Sequence, residues 1–233
     1  MTNDDGIEAV GLETLVKALH DEGYPVAVLA PSGNHSATGM RINLMKPMAY
    51  RPRDDLVERW GLNPHTTPVH LFELDGTPCD TMIVALDGGL NHLVPGVHPQ
   101  MVVSGVNLGP NLSQDSYHSG TMGAAREAGL YGVPAIAASF TSFDPVGMER
   151  AVEATLDIVA AAAAVLPVKA GNLARPKGAL ETTYFTTWPK PSADEPWRDH
   201  PERALLNAFC NGDLMLNINA PASWNGSWAT TRL

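Results

Sequence analysis

Cysteine is scarce in this chain of 233 residues, with only Cys79 and Cys210, far apart in the sequence. Two distant cysteines do not form a disulfide framework, so the composition indicates a reducing compartment. We expect both side chains to be small, buried apolar groups. The chain also lacks the clustered Cys and His spacing that would select zinc.

Basic residues are also few. Lys and Arg number 15 against 25 Asp and Glu, which gives a formal net charge of −10. Proteins that wrap a nucleic-acid polymer need a basic surface, so this balance argues against such a partner. Small phosphorylated ligands stay compatible with it if a metal ion supplies the positive charge. A Gly-x-x-x-x-Gly-Lys-Ser/Thr loop is absent, which makes a P-loop NTPase a poor match.

Long apolar runs are missing as well. No stretch approaches the ~18 apolar residues that a membrane-spanning helix needs. Met1 is followed at once by polar residues rather than by the apolar segment of a signal peptide. We therefore expect a cytoplasmic protein without a membrane partner.

What the chain does contain is an alternation of strand and helix patterns. Helical spacing of apolar residues, with capping and glycine signals, predicts helices near residues 8–22, 81–90, 119–128 and 148–159. Short apolar or β-branched runs predict strands near residues 24–30, 69–74, 101–103, 134–139 and 214–219. This alternation favours an α/β fold with a mostly parallel sheet covered by helices on both faces.

The organisation changes after residue 166. Residues 1–166 read as one catalytic core, and residues 167–213 as an irregular, Pro-rich excursion with a short strand near residues 182–187. Strand character returns in the final segment, residues 214–233.

Oxygen-bearing side chains cluster on loops that follow predicted strands. Asp4 and Asp5 stand at the entrance of the first helix, Ser36 lies in the loop after the next strand, and Asn107 follows the strand near residues 101–103. Loops at the carboxyl ends of parallel strands share one edge of a sheet. Two carboxylates, a hydroxyl and an amide carbonyl suit Mg²⁺ or Mn²⁺.

Each of these residues also has an ordinary structural interpretation. Asp and Asn are common helix caps, and Ser36 and Asn107 could be turn residues. Thr77 with Asp80, and Ser119 with Thr121, could simply cap helices. The loop histidines His35 and His118 could be solvated or could protonate a leaving group.

Several spaced motifs together resemble the SurE family of metal-dependent 5′/3′-nucleotidases. They are Thr2-Asn3-Asp4-Asp5-Gly6, Ala30-Pro31 followed by Ser36, Leu74-Asp75-Gly76-Thr77-Pro78-Cys79-Asp80, Ser104-Gly105-Val106-Asn107-Leu108-Gly109-Pro110-Asn111, and Ser119-Gly120-Thr121. The resemblance covers residues 1–139 and resumes over residues 214–233. It implies a Rossmann-like, doubly wound three-layer domain.

The resemblance also implies a site. Asp4, Asp5, Ser36 and Asn107 would bind one divalent ion per subunit, Mg²⁺ or Mn²⁺, and Asp4, Asp5 and Asn107 would take part in catalysis. The phosphate would be bound by Asn3, Gly105, Asn111, Ser119, Gly120 and Thr121. A metal-activated water would then hydrolyse nucleoside 5′- and 3′-monophosphates, with one aspartate as general base or, as the less favoured alternative, as the covalent nucleophile.

The family further implies a homodimer or homotetramer built by a carboxyl-terminal arm, which would start within residues 214–233. Its members carry a hydrophobic strand before the Asn-Asp-Asp-Gly motif, where only Met1 and Thr2 precede Asn3. They also continue beyond the equivalent of Leu233. We therefore expect a fragment, a start that was assigned late, or a marginally stable fold.

Two alternatives follow. The chain could be a truncated relative that binds metal or nucleotide without turnover. More distantly, it could be a glycosyltransferase or another nucleotide-using protein on the same type of sheet, since fold does not fix function.

Overall fold

The computed structural model describes residues 1–166, 201–210 and 212–230. The helices are α1 (Val10–Asp21), α2 (Asp54–Arg59), α3 (Pro78–Val84), α4 (Leu90–Leu93), α5 (Asp115–His118), α6 (Gly120–Leu130), α7 (Glu149–Val165) and α8 (Pro201–Cys210). The strands are β1 (Val26–Pro31), β2 (Tyr50–Pro52), β3 (Val69–Leu74), β4 (Val102–Leu108), β5 (Ala135–Phe140) and β6 (Met215–Ala220). The predicted alternation of strands and helices is confirmed.

The strands form two three-stranded sheets, with the orders β2-β3-β1 and β4-β5-β6. Neighbouring strands run parallel, except that β2 is antiparallel to β3. The predicted mostly parallel sheet is thus confirmed, with one antiparallel strand at its edge.

Met1 and Thr2 join the two sheets. The amino group of Met1 donates to the carbonyl of Ala27 on β1 at 2.6 Å, and its carbonyl accepts from the N–H of Leu29 at 3.1 Å. On the other side, the N–H of Thr2 donates to the carbonyl of Val103 on β4 at 3.2 Å. Two residues therefore occupy the central position of a six-strand arrangement, and they support the carboxylates that follow them.

The helices cover both faces of the sheet. Helices α1 and α7 contact each other on one face, and α3 and α6 contact each other on the other. The apolar residues of α1 predicted by helical spacing are all buried: Leu12, Leu15, Val16 and Leu19. Burial of each such side chain contributes about 1.5–3 kcal/mol to folding. The result is the expected three-layer α/β architecture.

Helix α3 begins with a capping box. The hydroxyl of Thr77 accepts from the N–H of Asp80 at 3.3 Å, and Asp80 Oδ2 accepts from the N–H of Thr77 at 2.8 Å. Pro78 takes the first helical position, where its missing N–H is not needed. The capping interpretation of Thr77 and Asp80 is confirmed, and this cap starts the helix earlier than the predicted residue 81.

Some elements differ from expectation. The segment treated as irregular over residues 167–213 contains α8 (Pro201–Cys210). The predicted strand near residues 182–187 lies outside the described residues. Strand β4 continues to Leu108, well past the short run near residues 101–103, because glycine permits close pairing there. Strand β2 and helix α2 were not predicted, because they are too short to produce a periodic pattern of apolar residues.

Cys79 and Cys210 are both buried and do not form a disulfide, as predicted. Burial raises the pKa of the Cys79 thiol to about 12. Within the three described ranges, no helix is long and apolar enough to span a bilayer.

Candidate active site

A cavity of about 270 Å³ opens at the carboxyl edge of the sheet. It is lined by Asp4, Ser36, Ala37, Asn107, Leu108, Gly109, Pro110, Asn111, Asp115, His118, Ser119 and Phe143. These residues lie at the end of β4, in α5, at the start of α6, and on the loops that follow Thr2, β1, β4 and β5. The three polar clusters predicted to share one edge therefore do so.

Asp4 is almost completely buried at the base of the site, with 2% of its surface exposed. The hydroxyl of Thr121 on α6 donates to Asp4 Oδ1 at 2.5 Å. Burial raises the pKa of Asp4, and the nearby Asp5 adds to this, whereas the Thr121 hydrogen bond acts in the opposite direction. Asp4 is therefore held in place at a wall that has no Lys or Arg among the described residues.

Asp5 lies beside Asp4 and interacts with the loop after β1. Asn34 Nδ2 donates to Asp5 Oδ1 at 3.2 Å, and the Ser36 hydroxyl contacts the same oxygen at a long 3.5 Å. The other oxygen, Oδ2, is buried and has no hydrogen-bond partner among the described residues. Burial raises the pKa of Asp5 as well. A buried carboxylate oxygen without a partner is costly unless a cation compensates it.

Asn107 presents its amide to the cavity. Its Nδ2 donates to the carbonyl of Gly109 at 2.8 Å. This bond orients the amide so that Oδ1 is the atom left for the cavity. Asn107 thus has a neutral amide oxygen on the same wall as Asp4.

Asn111 is anchored by the carboxyl-terminal strand β6. Its N–H donates to Asn219 Oδ1 at 2.8 Å, and its carbonyl accepts from Asn217 Nδ2 at 2.9 Å. Its own Nδ2 donates to the hydroxyl of Ser139 at 2.9 Å. Asn111 lines the cavity, but its amide hydrogens already point towards β5.

Two predicted phosphate-binding residues have other roles in this geometry. The side chain of Asn3 is fully buried and bonds Gly6 twice, donating to its carbonyl at 2.9 Å and accepting from its N–H at 3.2 Å. The N–H of Gly105 donates to the carbonyl of Thr2 at 2.9 Å. Neither residue lines the cavity. Asn3 shapes the acidic loop, and Gly105 pairs with the central segment.

The start of α6 contributes to the wall. Ser119 caps this helix, accepting from the N–H of Met122 at 3.1 Å, and it also lines the cavity. A Cβ atom on Gly120 would lie 2.8 Å from the Cβ of Asp4 and 2.9 Å from the hydroxyl of Thr38. Only glycine lets the helix approach Asp4 this closely. Thr121 faces Asp4, so it positions a carboxylate instead of reaching the cavity.

The two loop histidines differ in position. His118 is exposed and lines the cavity, whereas His35 does not. The N–H of His35 donates to the carbonyl of Asp4 at 2.6 Å, which ties the loop after β1 to the acidic loop. Of the pair, only His118 is placed to exchange a proton with a bound ligand.

Comparison with known proteins identifies the family. The family described as "Survival protein SurE" matches residues 1–233. The chain belongs to the SurE family. The family that the spaced motifs indicated is confirmed, and so is the predicted Rossmann-like α/β fold.

Several SurE relatives are similar over part of their length. The chain is 39% identical over 153 residues to "5′-nucleotidase SurE" of Desulfitobacterium hafniense, covering 66% of this chain and 55% of that protein. It is 39% identical over 145 residues to the protein of the same name from Anaeromyxobacter, covering 62% and 49%. The crystal structure of the SurE protein from Aquifex aeolicus superposes with a TM-score of 0.61 at 25% identity, covering 95% of this chain and 64% of that one. The chain spans about half the length of the curated relatives it matches.

The donor set of this SurE chain fits a hard divalent cation. The cavity lining includes no Lys or Arg among the described residues, although it contains two Asp. The Oδ2 of Asp5 is buried and has no hydrogen-bond partner among the described residues, so it is an oxygen that a cation could compensate. No group of three or more His, Cys, Asp or Glu suited to a metal occurs in the described part of the chain. The set must therefore be completed by neutral oxygens, as Mg²⁺ and Mn²⁺ accept.

Sequence reasoning on this SurE chain missed two residues of the wall, Asp115 and Phe143. Asp115 starts the short helix α5, and Phe143 follows β5 in a loop. Neither belongs to a recognisable motif. The only available signal was that the loop after β5 must return to the same edge as the loop after β4.

A second and larger cavity, of about 490 Å³, lies between β1 and β4. Its wall is mainly apolar and includes Met1, Leu29, Met82 and Val102. None of the predicted site residues lines it.

Proposed function

We propose that this chain is a divalent-metal-dependent phosphomonoesterase that hydrolyses nucleoside 5′- and 3′-monophosphates. The observation that carries the proposal is buried Asp4 next to partly buried Asp5, whose Oδ2 has no hydrogen-bond partner among the described residues, at a cavity whose described lining includes no Lys or Arg. Such a site repels a phosphate unless a cation intervenes. The names of the SurE relatives support the nucleotidase reaction.

We assign the cation to Asp4, Asp5, Ser36 and Asn107, with Mg²⁺ or Mn²⁺ as the ion. When bound, such an ion neutralises phosphoryl oxygens and lowers the pKa of a water molecule. The protein's part is to fix the ligands. Thr121 holds Asp4, the loop after β1 holds Asp5, and Gly109 orients the amide of Asn107.

We assign phosphate binding to Ser119 and Gly120. Ser119 Oγ accepts from the N–H of Met122, so its own hydrogen is free to donate into the cavity. The N–H of Gly120 belongs to the first turn of α6, where N–H groups lack partners within the helix and the dipole favours an anion. Both donors stabilise charge that grows on the phosphoryl oxygens during transfer.

Proton transfer has two candidates: His118, which lines the cavity, and Asp5, which directly follows the lining residue Asp4. Asp5, with its pKa raised by burial, accepts the proton of the attacking water. His118 lies on the wall and donates a proton to the leaving oxygen of the nucleoside. Replacement of His118 by Asn should lower kcat more for a nucleoside monophosphate than for p-nitrophenyl phosphate, whose leaving group needs no proton.

The deciding experiment is phosphate release from nucleoside monophosphates with Mg²⁺ or Mn²⁺, repeated with EDTA. Asp5→Asn should lower the rate by about a hundredfold or more, because it removes a ligand charge. The matched control is Asp75→Asn, an exposed aspartate paired with Lys46 at 3.6 Å, which should retain full activity. Mn²⁺ binding, followed by calorimetry, gives a readout that does not depend on turnover.

A folded chain that binds Mn²⁺ but releases no phosphate would favour the binding-only alternative. A folded chain that binds no divalent ion would contradict both. We also propose assembly into a homodimer or homotetramer, since Trp228 in the carboxyl-terminal segment is half exposed beside Trp224. Sedimentation of the purified chain tests this, and a monomer at all concentrations would contradict it.

A further inference from the structure

Phe143 is an exposed aromatic residue at the mouth of the candidate site. It lies in the loop after β5, and 81% of its surface is exposed to solvent. It nevertheless forms part of the same wall as Asp4, Ser36 and Asn107. Single exposed apolar residues are common on protein surfaces, so what distinguishes this ring is its position on the wall of a polar site.

The backbone around Phe143 is shaped to hold the ring in this place. A Cβ atom at Gly109 would lie 2.5 Å from Cε1 of Phe143, so the ring rests directly on a residue without a side chain. Gly109 has φ +114°, a conformation that favours glycine. The loop itself is closed by hydrogen bonds from the N–H of Asp144 to the Ser142 hydroxyl, 3.0 Å, and from the N–H of Val146 to Asp144 Oδ1, 3.0 Å. One side of the ring is supported, and the rest faces solvent.

The cavity is too small for a whole nucleotide. Its volume of about 270 Å³ lies below the usual range of about 300–1,000 Å³ for sites that enclose a ligand. With its phosphate near Asp4 and Ser119, a nucleotide would place its nucleoside part along the rest of the wall, which includes Phe143. Phe143 is the one aromatic residue on the described wall.

We propose that Phe143 is the base-stacking residue of the substrate site. The inference rests on the proposed nucleotidase function and names the part of the substrate that lies outside the cavity. A planar nucleobase covers the exposed ring, and stacking of this kind tolerates every base because each has a π face. The site should therefore accept nucleotides with any base. Purine nucleotides should bind somewhat more tightly, because their rings are larger.

The test compares substrates with and without a base. In the intact chain with Mn²⁺, Phe143→Ala should lower kcat/KM for adenosine 5′-monophosphate by about fivefold to a hundredfold, mainly through KM. Its kcat/KM for ribose 5-phosphate should not change, because that substrate has no base to stack. Phe143→Trp should retain or improve the preference for the nucleotide.

The matched control is Val146→Ala, which removes an exposed apolar side chain from the same loop, outside the cavity wall. It should not change kcat/KM for either substrate. Equal losses for both substrates in Phe143→Ala, or no loss for either, would overturn the proposal.

Binding separates this inference from the proposed function. If the wild-type chain hydrolyses neither substrate, the phosphomonoesterase proposal fails. Equilibrium dialysis with Mn²⁺ then decides the stacking proposal by itself. Tighter binding of adenosine 5′-monophosphate than of ribose 5-phosphate, lost in Phe143→Ala, supports it. Equal binding of the two ligands, or no binding of either, refutes it.

Discussion

Thr121 donates its hydroxyl hydrogen to Asp4 Oδ1 at 2.5 Å, although 117 residues separate the two in sequence. Both side chains are buried. The bond links the amino-terminal acidic loop to the first turn of α6, so the position of one carboxylate depends on a helix from the middle of the chain.

Replacement of Thr121 by Val should therefore weaken metal binding. The variant keeps the shape but leaves Asp4 Oδ1 without its donor, which costs about 1–3 kcal/mol of stability. We expect Mn²⁺ affinity to fall by about 10- to 100-fold, measured by calorimetry, because positioning partners of ligands have effects of this size.

Thr155→Val is the matched control for that change. Thr155 is equally buried, but its hydroxyl donates to the carbonyl of Ala151 within α7 at 2.7 Å. It should affect stability without changing Mn²⁺ affinity. Thr121→Ser should restore affinity, and a Thr121→Val variant with normal affinity would show that Asp4 needs no positioning.

Gly120→Ala tests the close approach of α6 to Asp4. The added Cβ would lie 2.8 Å from the Cβ of Asp4, so the carboxylate or the helix must shift by several tenths of an ångström. Alanine is otherwise acceptable in the first turn of a helix. We expect a fall of about tenfold or more in Mn²⁺ affinity and in phosphate release.

Gly33→Ala is the corresponding control, since nothing lies within 4 Å of a Cβ at Gly33. Gly33 also belongs to the loop that carries Ser36. Its substitution should leave both measurements unchanged. If Gly120→Ala behaves like Gly33→Ala, the packing of α6 against Asp4 has no bearing on the site.

The two asparagines of β6 position the loop that carries Asn111. Asn217→Ala removes the shorter of two bonds to the Asn111 carbonyl, and Asn219→Ala removes the acceptor for the Asn111 N–H together with the second donor to that carbonyl. We expect each to reduce phosphate release by about tenfold through a displaced loop, with a loss of about 1 kcal/mol in the free energy of unfolding.

Asn91→Ala controls for the loss of an asparagine that accepts from a backbone N–H. Asn91 Oδ1 accepts from the N–H of Gly96 at 3.1 Å, and neither residue lines the cavity. Its activity should match that of the wild type. Full activity in both Asn217→Ala and Asn219→Ala would mean that β6 supports the fold alone.

Much of the fold could be predicted because its patterns are local. Strand β3 covers residues 69–74 as expected, since alternation and a following turn define both its ends. Helix α1 follows from four apolar residues on one face. The short elements could not be predicted from the sequence. Strand β2, for example, spans only three residues, and it pairs with residues of β3 that are not its neighbours in sequence.

The site was harder to predict in detail because hydrogen-bond partners decide each role. Asn3 and Thr121 belong to motifs that predict phosphate binding, yet both side chains are occupied by other protein groups. The support of Asp4 and Asp5 by Met1 and Thr2 could not be predicted either, since two residues carry no periodicity. The position of Phe143 on the cavity wall depends on the three-dimensional arrangement of the loops, which the sequence pattern does not give.

The ion pairs of Arg53 should make the stability of the folded chain depend on pH in the acid range. Its guanidinium is buried and bonds Glu8 at 2.6 Å, Asp55 at 2.8 Å and Glu73 at 2.8 Å. The hydrogen bond from Arg53 lowers the pKa of Asp55 from 3.8 to about 2 and also lowers that of Glu8. Groups with a lowered pKa stabilise the fold above their unfolded-state pKa, and the contribution is lost as pH falls through the folded-state value.

Arg53→Met should therefore destabilise the chain at pH 7, by about 3 kcal/mol, because Glu73 loses its buried partner. The difference from wild type should shrink as pH falls from about 5 towards 2, since the carboxylates become neutral in both proteins. Urea unfolding across this range measures it. Arg51→Met, which removes a more exposed partner of Glu73 at 2.8 Å, should cost under about 1 kcal/mol. A pH-independent difference for Arg53→Met would assign its effect to lost packing of the side chain instead of to the carboxylates.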